Sequence, residues 1–171
     1  MDNYEKMQEA ARCRFLEYDC DALCRRVGVT AGGSSVCTRF LGQPVDSETI
    51  EKILSFEMKP LHPDIKVRMD IVSRNQVKCI CPWTTPQLIA IYSEESEGYL
   101  ENIGFLFQQM DLYLQTLGLG MCWLGMGRMN PRTTSQVEGM KFVILLAFGY
   151  PKGDQQRHDP KEFKRKPMEK I

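Results

Sequence analysis

Asn102 to Gly125 reads NIGFLFQQMDLYLQTLGLGMCWLG, and this stretch decides the fold. Apolar side chains recur at Ile103, Leu106, Phe107, Met110, Tyr113, Leu114 and Leu117. That spacing marks one face of an α-helix, expected from about Glu97 to Leu117. Gly118 and Gly120 predict its end, as a left-handed C-cap. Met121 to Leu124 then predicts a short strand that stops at Gly125. A helix this apolar belongs to a core or to a subunit interface. Gln108, Gln109 and Asp111 interrupt it, and they either pair across such an interface or face solvent.

Working outward, Gln87 to Tyr92 (QLIAIY) is a short apolar run suited to a buried central strand. Lys66 to Ser73 (KVRMDIVS) alternates as a strand does. Pro44-Val45-Asp46-Ser47 opens a helix that Asp46 or Ser47 can cap, with Ile50, Ile53 and Leu54 as its apolar face. Pro60 and Pro63 close that region. Downstream of a loop at Asn130-Pro131, Lys141 to Phe148 (KFVILLAF) is the most apolar run of the chain, and Gly149-Tyr150-Pro151 ends it. Residues 1–27 read as helical, Thr30 to Ser35 as a loop, and Lys152 to Ile171 as a polar, mildly basic tail. Helices come first, then strands mixed with one dominant helix, which points to an α+β sandwich with helices on a central sheet.

The chain has 171 residues, enough for one domain, or one domain with an arm, and 43% of them are hydrophobic. Its 22 basic and 22 acidic residues cancel, which argues against a general nucleic-acid binder. No apolar run approaches the roughly 20 residues needed to span a bilayer. The opening MDNYEKMQEAARCRF lacks an apolar signal core, so a cytoplasmic, membrane-free protein is expected. Seven cysteines are an odd number and read as reduced thiols. Cys79-x-Cys81 and Cys20-x3-Cys24 are single pairs without a matching second pair, and His62 and His158 lie in Pro-rich loop contexts, so no metal site is expected. Cys122 sits in an apolar strand, where a thiol is inert.

Several words together carry a resemblance. They are Gly118 to Gly125 (GLGMCWLG), Pro44 to Leu54 (PVDSETIEKIL), Met58-Lys59-Pro60-Leu61 with Asp64-Ile65-Lys66, Phe142 to Pro151 (FVILLAFGYP) and Lys164 to Ile171 (KRKPMEKI). Their order and spacing over residues 39–171 resemble the FMN-dependent nitroreductase family, in particular a short bacterial branch of it. The resemblance implies an α+β nitroreductase-like sandwich around a mainly antiparallel sheet, with the long core helix at a homodimer interface. It implies a nitroreductase-like domain over 34–171, with residues 1–33 as a helical arm that is divergent or inserted.

The resemblance also implies FMN as cofactor and NAD(P)H as co-substrate, with nitroaromatics, quinones or similar electron-poor small molecules as acceptors. The flavin carries the chemistry in such enzymes, so no catalytic side chain is expected. Main chain at Trp123, Leu124 and Gly125 would approach the flavin ring, and Gly125 leaves room for that approach. The ordinary reading of Trp123 as a core residue is compatible with this. For the phosphate, the family's Arg-x-Ser-x-Arg type word falls on Ser34 to Phe40, where only Arg39 and Phe40 are similar and Ser34 and Thr38 replace the arginines. Arg12 and Arg14 are alternative phosphate contacts. Lys164 and Arg165, or Arg165 with Lys166, resemble a second phosphate clamp; a solvated charge run is the alternative. The family word Pro-Ser-x-x-Asn-x-Gln is missing, and Ser55 to Pro63 takes its place.

Ser34, Val36 and Thr38 motivate a second reading, a degenerate nitroreductase-fold scaffold without FMN. Each lost charge-assisted contact costs about 1.5–3 kcal/mol, so two such losses weaken phosphate binding about 100-fold or more.

Overall fold

The computed structural model describes residues 39–79, 85–133 and 137–153. The arm expected over residues 1–33, Arg12, Arg14, Lys164, Arg165 and Lys166 lie outside the described residues.

Helix α1 is Ser47–Leu54 and is capped by Asp46, whose carboxylate accepts from the Thr49 N–H at 2.8 Å. Strand β1, Val67–Ser73, leads through a single 3-10 turn, Arg74–Gln76, into the two-residue strand β2, Val77–Lys78. Then come β3 (Gln87–Ser93), the long helix α2 (Tyr99–Thr116), β4 (Gly120–Leu124), β5 (Arg128–Met129) and β6 (Lys141–Gly149). The main sheet has the order β1-β3-β6-β4, and β2 pairs with β5 in a separate ribbon. Every strand pairing is antiparallel.

The two most apolar strands, β3 and β6, lie at the centre of the sheet, which is why neither alternates with polar residues. Both faces are buried. Ile89, Ile91, Met121, Leu146 and Phe148 join the core under α2, while Leu88, Ala90, Cys122, Leu124, Leu145 and Ala147 form the opposite face. A bulge shifts the β3–β6 register between Ile91 and Tyr92, and beyond it Tyr92 and Phe142 meet edge to face at 5.8 Å.

Helix α2 follows the expected face and exceeds it. Ile103, Leu106, Phe107, Met110 and Leu114 are buried, but so are Asn102, Gln109 and Asp111. The end at Gly118 is a Schellman turn: φ is +74°, the Gly118 N–H reaches the Gln115 carbonyl, and the Leu119 N–H reaches Leu114. Gly120 has no part in the cap and instead begins β4. At the other end Gly98 has φ +80°, and a Cβ there would meet His62 Nε2 at 2.8 Å.

Two expectations about side-chain placement are corrected. Leu54 is not on the buried face of α1 but 52% exposed, because the last helical turn runs past the core that Ile53 enters. Gln109 does not face solvent. Its amide accepts from the Lys59 N–H at 3.0 Å and donates to the Lys59 carbonyl at 2.8 Å, so it fastens the loop after α1 to α2 within one chain. Asp111 is also buried, and it accepts from Gln108 and Gln115 on its own helix. Asn102 likewise takes the Leu61 and His62 N–H groups on its Oδ1, both at 2.9 Å. Gln87 ties the lead-in of α1 to β3 through both main-chain groups of Val45.

Candidate functional site

Strand β4 hydrogen-bonds to β6 with Trp123 opposite Leu146 and Leu124 opposite Leu145. Alternation along the strand sends Trp123 toward the α2 side, where it is half-buried, and Leu124 into the opposite core. The chain then turns tightly, the Gly127 N–H reaching the Leu124 carbonyl at 3.0 Å. Gly125 and Met126 form the tip of that turn, and Met126 is 66% exposed. A Cβ added at Gly125 would meet nothing within 4 Å. Neither Gly125 nor Met126 donates its N–H to a carbonyl among the described residues. The tip therefore offers open main-chain donors beside a half-exposed indole.

Gly127 is the glycine whose absence of a side chain matters for packing. A Cβ there would lie 2.7 Å from Leu145 Cδ1 and 3.2 Å from the Leu124 carbonyl oxygen. Cys122, on the strand leading to the tip, is buried, in keeping with an inert thiol.

Arg39 is exposed at the other end of the sheet. Its carbonyl accepts from the Lys152 N–H at 2.8 Å, and Phe40 bridges to Pro151 just beyond β6. Pro151 stands six positions beyond Leu145, which puts Arg39 about 20 Å along the sheet from the Gly125 turn. Within one chain the structure thus separates the expected phosphate contact from the expected ring contacts. None of the described cavities is lined by Arg39, Trp123, Leu124 or Gly125.

Beside the Gly125–Met126 turn lies a cavity of about 490 Å³ lined by Arg74, Val77, Lys78, Cys79, Met126 and Arg128. Sequence reasoning did not single out its three cations. Lys78 and Arg128 are fifty positions apart in the chain, and only the β2–β5 register sets them face to face.

Four ion pairs lie elsewhere among the described residues. Lys52 pairs with Glu48, Lys66 with Glu94, Arg68 with Asp70 and Lys141 with Glu95. Three acceptances hold the Asp46 carboxyl down at a pKa of about 2: the Thr49 N–H first, then the Thr49 hydroxyl and the Tyr150 hydroxyl. Among the described residues no group of His, Cys, Asp and Glu could hold a metal ion, and no helix is long and apolar enough to cross a membrane.

A family profile described as "Putative TM nitroreductase" matches residues 35–171. No curated protein matches the sequence. Solved structures show the same fold. A nitroreductase family protein from Clostridium difficile 630 superposes with TM-score 0.58 at 15% identity, covering 81% of this chain and 91% of its own. A nitroreductase family protein from Clostridium novyi NT gives 0.57 at 14%, covering 92% and 89%. An FMN-dependent nitroreductase from Clostridium difficile R20291 gives 0.55 at 13%, covering 78% and 94%. With its profile matched over most of its length and its sheet and core helix arranged as in those proteins, this chain belongs to the nitroreductase family and has the general role of an oxidoreductase.

Proposed function

We propose that the protein is an FMN-dependent, cytoplasmic oxidoreductase that works as a homodimer. Bound FMN would supply hydride chemistry, taking reducing equivalents from NAD(P)H and delivering them to nitroaromatics, quinones or similar electron-poor acceptors. The observation that carries this reading is the open turn at Gly125 and Met126, with donors unused within the described chain beside half-buried Trp123. Trp123, Leu124 and Gly125 hold the ring side, where main-chain N–H groups orient a polar ring edge and the apolar flank limits water. Arg39, Lys164 and Arg165 hold the phosphate, with Arg12 and Arg14 as alternative contacts. Placement of Arg39 and Gly125 at opposite ends of β6 suits a ligand whose phosphate and ring lie at opposite ends of the molecule. Residues 1–33 form an arm outside the nitroreductase-like domain of 34–171.

The test is a visible spectrum of the purified protein after FMN is added and the sample desalted. Retained flavin absorbance that bleaches anaerobically with NAD(P)H is expected. Arg39→Ala and Arg165→Ala should each weaken flavin retention about tenfold or more, the effect of losing one charge-assisted contact. Flavin content unchanged in both would remove these two residues from the site. A protein that stays colourless after reconstitution would overturn the reading and leave the cofactor-free scaffold.

A further inference from the structure

The β2–β5 ribbon is only two residues long on each side, yet it sets Lys78 directly opposite Arg128. Directly opposed residues of an antiparallel pair project from the same face, and like charges there are destabilising. Neither side chain is in an ion pair among the described residues, whereas Lys52, Lys66, Arg68 and Lys141 all have acidic partners. Both face a cavity of about 490 Å³ that also takes Arg74, and among the described residues no acidic side chain lines it. Arg74 donates from Nη2 to the Cys79 carbonyl at 3.2 Å, which holds its guanidinium at the cavity wall in advance of any ligand. Val77, Cys79 and Met126 supply an apolar flank. The volume falls in the range of small-ligand sites and far exceeds a lone anion.

We infer that this cavity binds the phosphate end of a redox nucleotide, with Arg74, Lys78 and Arg128 as its contacts. Lys78 and Arg128, opposed with no acidic partner among the described residues and joined by Arg74 at the wall, call for a polyanion. The apolar flank and the excess volume call for an organic body attached to that anion. A nicotinamide dinucleotide fits this chemistry, since the FMN phosphate is placed above at Arg39, Lys164 and Arg165; an FMN phosphate in this cavity is the outcome of the test that would overturn that placement. The word "redox" rests on the oxidoreductase reading above; the polyanion site rests on the cavity alone.

The test uses calorimetry on the purified full chain, first with pyrophosphate and then with NADP⁺, which binds without turnover. Pyrophosphate and NADP⁺ should compete, and their affinity should fall steeply with salt. Lys78→Gln and Arg128→Gln should each weaken pyrophosphate binding about tenfold. Arg128→Glu creates an opposite-charge pair with Lys78, so it should melt no lower than the parent while losing pyrophosphate binding. That combination separates a binding role from misfolding. NADP⁺ binding weakened with flavin content unchanged identifies the nicotinamide dinucleotide, and loss of flavin identifies the FMN phosphate. Pyrophosphate binding that is absent from the parent, or equal in the Lys78→Gln/Arg128→Gln double variant, overturns the proposal. So does pyrophosphate binding that the variants abolish while flavin content and NADP⁺ affinity stay unchanged, which marks an adventitious ion only. A colourless protein that still binds NADP⁺ through these residues would sink the flavin reading and leave this site standing.

Discussion

At the scale of single residues, Asp46 shows how much chemistry a helix cap can concentrate. Its Oδ1 takes the Thr49 N–H at 2.8 Å, and its Oδ2 takes the Thr49 and Tyr150 hydroxyls, both at 2.9 Å. All three contacts favour the ionised form, so the folded-state pKa of about 2 lies below the ordinary value of 3.8. A carboxyl depressed in the folded state contributes stability that is complete above the unfolded pKa and is lost as pH falls through the folded one. The melting temperature should therefore drop between about pH 4 and pH 2 more steeply in the parent than in Asp46→Ala, which should melt lower than the parent at neutral pH. Thermal melts at both ends of that window check it, and equal slopes would remove Asp46 from the acid response. The cap was legible because Pro-Val-Asp-Ser is a local signal. The Tyr150 contact was not, because 104 positions separate its two partners.

At the scale of elements, α2 was read from its period, and its bounds of Tyr99 and Thr116 fall inside the expected 97–117. Its polar residues were beyond a periodicity argument. Gln109 looks like a break in an apolar face, yet it replaces a strand partner for Lys59, satisfying both main-chain groups of that residue. Gln109→Ala would remove both of these contacts with the loop. Chemical denaturation should show a loss of about 1–3 kcal/mol, and an unchanged midpoint would mean that the loop is held by other contacts. The strands follow the same division. β1, β3, β4 and β6 stand where alternation and apolar runs predicted them, whereas β2 and β5, two residues each, are too short for any pattern to register.

At the scale of the whole molecule, part of α2 is left uncovered by the described residues. Leu100 is 55% exposed and Phe105 46%, Gly104 lies open between them, and Leu61 is 49% exposed on the loop that Asn102 holds. These exposed apolar side chains, with Glu101 among them, support the proposed homodimer. Phe105→Glu leaves the intrachain core untouched, so it should fold but elute as a monomer in light-scattering chromatography and retain less flavin. A dimer that survives this change would place the interface elsewhere. Helix periods, cap words and apolar runs depend on neighbours within a few residues, so the α+β class, the central strands and the family resemblance could be read from the chain alone. The pairing of Lys78 with Arg128, the clasp of Gln109 on Lys59 and the separation of Arg39 from Gly125 depend on strand register and on contacts across tens of positions. Side chains brought together by strand pairing leave no mark on the local pattern, and so the fold determined where the charges gather.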